Sequence, residues 1–153
     1  MDWGSAILAG IIATAVMTIV MYVGKAMGMP VDMPRMLGLM VVGPQSGAVD
    51  LIGLVVHVMM GVIFAIIYVL LFAALRIAPS WQWGALFGAV HGVLAGLAFG
   101  MMPALHPRMG DGEELPAPGL FGHNLGAAVP MAIILLHVVF GAVVGGMYAR
   151  LVA

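Results

Sequence analysis

The chain has 153 residues, of which 64% are hydrophobic and only 7% charged, and its formal net charge is −1. Soluble domains carry about a quarter charged residues, so a water-soluble fold is excluded. A nucleic-acid surface is excluded too, because five Lys plus Arg supply no basic face. The absence of Cys removes disulfides, thiolate metal sites and a Cys nucleophile.

Mean hydropathy is +1.20, and the charges leave long gaps: Asp2 to Lys25, Asp50 to Arg76, Arg76 to Arg108, and Glu114 to Arg150. A helix needs about 20 apolar residues to cross a bilayer, so the gaps predict four spans at 4–27, 51–75, 82–103 and 126–149. The lipid bilayer is the first partner. Span one opens MDWG, without a basic region, and its apolar run is longer than that of a cleaved signal, which predicts a retained helix. It carries Ala6, Gly10, Thr14 and Thr18 at four-residue spacing, and the connection 28–50 follows it with Met33, Arg35 and Met36.

Span two carries Gly53, His57, Gly61 and Ala65. Span three carries Gly84, Gly88, Gly92, Gly96 and Gly100, a glycine-zipper-like stripe, with His91 near mid-depth. The connection 104–125 holds His106, Arg108, Met109 and His123, and its segment 111–124, with Asp111, Glu113 and Glu114, reads as a solvated loop. Span four carries His137, Gly141, Gly145 and Ala149. Trp3, Trp81, Trp83, Tyr22, Tyr68 and Tyr148 lie towards span ends and predict interfacial belts.

Two phrases recur. MPVDMPRM at 29–36 and MPALHPRM at 102–109 share five of eight letters at an offset of 73. His57-Val58-x-x-Gly61 with Tyr68 matches His137-Val138-x-x-Gly141 with Tyr148 at an offset of 80, as do Trp3-Gly4 and Trp83-Gly84. These matches predict an all-α integral membrane protein, a single membrane domain over 1–153. Its four-helix bundle is expected to consist of two parallel two-helix repeats, 1–76 and 77–153, about a pseudo-two-fold axis along the membrane normal. The repeat also predicts equal depth for His57 and His137.

Small residues four apart share a helix face and let membrane helices approach closely. The stripes therefore predict close packing, with His57 and His137 facing protein. The Gly84–Gly100 stripe either closes the monomer or forms a homodimer seam, and a larger membrane complex is a further possibility.

Histidines are the acid–base groups deep in the spans; no Asp, Glu or Lys lies there. A carboxylate-driven antiporter, a retinal-type Schiff base and a buried hydrolase are poorly served, and binding is favoured over catalysis. Three uses of the histidines stay open. In one, His57 and His137 bind a b-type haem for electron transfer, with Arg35 and Arg108 holding its propionates and Gly61 and Gly141 giving clearance. In another, copper is handled by His57, His91, His106 and His137 with Met33, Met36 and Met109, since thioethers favour Cu(I). In the last, the protein is a non-catalytic subunit or assembly factor whose histidines only bond helices, for example through Thr14, Thr18 or a carbonyl.

The order MPxDMPRM, a His-Val-x-x-Gly span, HPRM and ELPAPGLFGHNLG resembles small, uncharacterised four-helix bacterial inner-membrane proteins along most of the chain. The resemblance implies the architecture and a bacterial inner membrane, and no functional residue comes with it. Both termini are expected on one side. The long connections hold most of the acids, which leans them outward and the termini towards the cytoplasm.

Overall fold

The computed structural model describes residues 1–110 and 113–153; the expectation for Asp111 lies outside the described residues. The fold is all-helical. Its four long helices are α1 (Trp3–Ala26), α3 (Val49–Ala74), α4 (Trp81–Leu105) and α5 (Val129–Leu151). Each is long and apolar enough to cross a membrane, and the protein is a four-helix integral membrane bundle. A short helix, α2 (Met33–Val41), interrupts the first long connection, and a 3-10 segment, Leu120–Leu125, ends the second.

The sequence reading missed α2, although its start signal is present. Asp32 precedes Met33-Pro34, and its carboxylate accepts from Arg35 N at 3.1 Å. This is an N-cap followed by a Pro in the first turn. Asp2 caps α1 in the same way, accepting from Ser5 N at 2.9 Å. Asp32 also pairs with Lys25, and Arg35 with Asp50 at 3.3 Å.

The helices pair tightly through their small residues. A Cβ on Gly141 would meet the Gly84 carbonyl and, at 2.9 Å, the Gly88 Cα; one on Gly145 would meet the Ser80 carbonyl. The α4–α5 backbones are therefore in van der Waals contact, the arrangement that holds helices together where no hydrophobic effect acts between them. The α1–α3 seam is looser, with Gly10 against Val62 and Ala65 and Gly61 against the Thr14 hydroxyl. Gly53 sits against Pro34 and Gly38, which docks α2 on α3. The stripe left open between monomer and dimer is filled within the chain. Gly84, Gly88 and Gly92 meet α5, while Gly96 and Gly100 meet Phe121 and Leu120.

α1 also packs on α5. α3 and α4 follow one another through the short 75–80 link, yet they meet chiefly through aromatic side chains. Phe72–Phe87 ring centroids are 5.1 Å apart and Tyr68–Phe87 5.8 Å. Trp3, Trp81, Trp83 and Tyr22 are exposed, as an interfacial belt requires. Tyr68 and Tyr148 depart from that expectation. They are 2% and 4% exposed, because both stand on the stripe that faces the bundle, and Tyr148 Oη accepts from Asp2 N at 3.1 Å.

Candidate functional site

His57 follows Val49, the start of α3, by eight positions, and His137 follows Val129, the start of α5, by eight. Each therefore lies roughly 12 Å into its helix at 1.5 Å per residue. Their stripes turn them inward, where a cavity of about 400 Å³ lies among α1, α3, α4 and α5, with α2 at one end. Its wall is apolar apart from Thr14, His57, His91 and His137.

The three imidazoles have different surroundings. His137 Nδ1 lies 2.7 Å from the Ile133 carbonyl one turn back. A carbonyl only accepts, so Nδ1 carries the proton and the neutral ring keeps a lone pair on Nε2. His91 Nδ1 shares a hydrogen bond of 3.1 Å with the Tyr68 hydroxyl, and its ring meets Phe64 at 3.9 Å and His137 edge-on at 4.5 Å. The close imidazole pair is thus His91–His137, although only His137 has a repeated counterpart.

His57 is 7% exposed and its Nε2 is buried without a hydrogen-bond partner. Thr18 Oγ1 is the other such side-chain atom among the described residues. Their positions are related. In the antiparallel α1–α3 seam Thr14 faces Gly61, so one turn further along each helix brings Thr18 and His57 to one level. Thr14 itself is satisfied, donating to the Gly10 carbonyl at 2.7 Å.

Of the other residues singled out in the sequence, Gly61 and Met33 line the cavity. Gly141 instead faces Gly84 and Gly88. Met36 and Met109 are buried in a cluster with Val31, Phe99 and Ile133, where they serve as packing. Arg35 is held at the surface by Asp50, and Arg108 donates to the Leu39 carbonyl at 2.5 Å; neither lines the cavity. His123 is exposed and bonds the Leu120 carbonyl at 3.0 Å.

His106 has both nitrogens engaged. Nε2 donates to the Met36 carbonyl at 2.9 Å, and Nδ1 accepts from Arg108 N at 3.1 Å. It joins the two MPRM-like phrases and has no lone pair left for a ligand. Among the described residues no group of three or more His, Cys, Asp or Glu could hold a metal ion. A site here would take one or two imidazoles, with thioethers or a prosthetic group completing it. Met17, Met21 and Met60, which sequence reasoning did not separate from the other methionines, join Met33 and Met102 on the wall.

No curated protein and no solved structure matches the chain. A family model covers residues 1–153, the whole chain, and in keeping with the resemblance its members have no assigned activity. The protein belongs to the family of unknown function DUF6789.

Proposed function

We propose that the protein holds a b-type haem between His57 and His137 and uses it in electron transfer within the membrane. The observation that carries this is the buried, unpartnered Nε2 of His57 on a wall that His137 also lines, with the His137 Nδ1 taken up by the Ile133 carbonyl. A buried polar atom without a partner costs about 1–3 kcal/mol, and a bond to iron would remove that cost. The Ile133 carbonyl does for His137 what outer partners do for metal-bound histidines generally, fixing the tautomer and aiming the other nitrogen.

The test is the oxidised-minus-reduced visible spectrum of protein purified from haem-sufficient membranes. Sharp Soret and α-band changes, lost on His57→Ala or His137→Ala, are the expected result. A featureless spectrum of the folded protein would sink the haem. Copper handling is a second possibility, favoured by Met17, Met21, Met33, Met60 and Met102 along the same wall. Metal analysis of the same sample decides it. A protein carrying neither haem nor copper would leave the non-catalytic subunit or assembly factor.

We also read the chain as a duplicated helix pair, 1–76 and 77–153, inserted the same way up in a bacterial inner membrane with its termini cytoplasmic. The close seams α1–α3 and α4–α5 support this, as does the equal offset of His57 and His137 from their helix starts. In a duplicated pair the α3–α4 contact is the counterpart of α1–α5. The second is closed and the first is propped open, and the cavity occupies the difference.

A further inference from the structure

The cavity is sealed at both ends and open at one side. At the α2 end Val31, Leu37, Phe99 and Ile133 are all buried. The bonds His106–Met36 and Arg108–Leu39 tie α2 to the segment after α4. At the other end the rings of Tyr68, Phe72, Phe87 and Phe140 bridge α3 to α4 and α5.

The exposed residues of the wall are Met60, Leu94 and Ala98, one on α3 and two on α4. Every wall residue from α1, α2 and α5 is buried or half-buried. The mouth is therefore the gap between α3 and α4. Met60 lies eleven residues past Val49 and Leu94 thirteen past Trp81, roughly 16 and 20 Å along their helices. In a hydrocarbon core of about 30 Å, that is mid-depth.

We propose that the cavity is loaded sideways from the hydrocarbon layer through the α3–α4 gap, and that its occupant is a bilayer-borne molecule. The occupant's apolar body faces Met60, Leu94 and Ala98, and its polar or ligating part reaches the imidazoles. This rests on the assignment of the cavity as a binding site and adds the source of what binds. Water and water-borne solutes have no part in the exchange.

The test needs no ligand in hand. Trp3, Trp81 and Trp83 are replaced by Phe, and a single Trp is placed on the wall as Phe140→Trp, with Leu136→Trp as a second reporter should the first not fold. The protein is reconstituted in phosphatidylcholine vesicles with or without bromines at mid-chain. The expected result is loss of Trp emission in brominated lipid, recovery when Ala98→Phe narrows the mouth, and no effect of iodide. Emission indifferent to bromination in both reporters would overturn the proposal, as would quenching by iodide or a bromine effect that Ala98→Phe leaves intact. The haem is judged separately by its spectrum. Haem-free protein whose reporters sense bromine retires the haem and keeps the lateral route, and haem-loaded protein whose reporters do not retires the route alone.

Discussion

His106 on the segment after α4 donates through Nε2 to the carbonyl of Met36 in α2 at 2.9 Å, across 70 positions of sequence. The bond joins the two occurrences of the Met- and Pro-rich phrase, and the Met36 and Met109 side chains pack in one buried cluster beside it. The phrase recurs where the two long connections meet, over the sealed end of the cavity.

Replacing His106 by Leu should cost about 1–3 kcal/mol, because the Met36 carbonyl and Arg108 N–H lose their partner in a buried place. Thermal unfolding in detergent would show a lower Tm. With a Trp reporter on the wall, iodide should also begin to quench as the seal loosens. An unchanged Tm would mean that the latch carries little of the stability.

The α4–α5 seam makes a sharper claim. Gly141→Ala and Gly84→Ala each place a methyl against backbone that cannot yield, and overpacking typically costs about 1–3 kcal/mol. Gly47, which has nothing within 4 Å of a built Cβ, should accept Ala within about 0.5 kcal/mol, as surface sites do. Equal effects at Gly47 and Gly141 would contradict the close seam.

His57→Leu separates a binding histidine from a merely structural one. A helix-joining histidine destabilises the protein when it is lost. His57 Nε2 has no partner to lose, so in ligand-free protein an apolar side chain of similar size should raise stability by about 1 kcal/mol, within the usual cost of a buried unsatisfied group. The same change should abolish the pigment. Stability that falls with no change in bound cofactor would instead assign His57 to the framework.

Tyr68→Phe removes the hydroxyl that meets His91 Nδ1. The expected loss is about 0.5–1.5 kcal/mol, the net worth of an ordinary hydrogen bond. Bound haem should be retained, since His91 is not assigned as an iron ligand. Loss of the pigment on Tyr68→Phe would move the ligand role from His57 to His91, whose ring already touches that of His137.

Much of this was legible in the sequence. The bilayer dictates span length and tolerates few charges, so the gaps between Asp2, Lys25, Asp50, Arg76, Arg108, Glu114 and Arg150 locate four spans, whose helix ends then fall within three residues of expectation. Small residues at a period of four marked the faces that pack, and they do pack: Gly84 on Gly141, Gly61 on Thr14, Gly53 on α2. Helical periodicity alone accounts for that much, since it tells which residues share a face.

Periodicity does not tell which neighbour meets the face, and there tertiary structure decided. The sequence paired His57 with His137 because their surroundings repeat, while packing put His91 against His137 and left His57 Nε2 without a partner. His106, a candidate ligand by residue type, is consumed by a local bond from Arg108 N and by a bond to the Met36 carbonyl that exists only because α2 folds back beneath it. The shortest link between two long helices joins a pair that the cavity holds apart, α3 and α4. Aromatic rings prop them at one end, and glycine draws each against a different partner, α3 to α1 and α4 to α5. Composition and spacing determined that this chain spans a membrane four times and which faces turn inward. The cavity, its three imidazoles and its lateral mouth arise from which helix meets which, α1 on α5 and α3 held off α4, and packing sets that, not spacing along the chain.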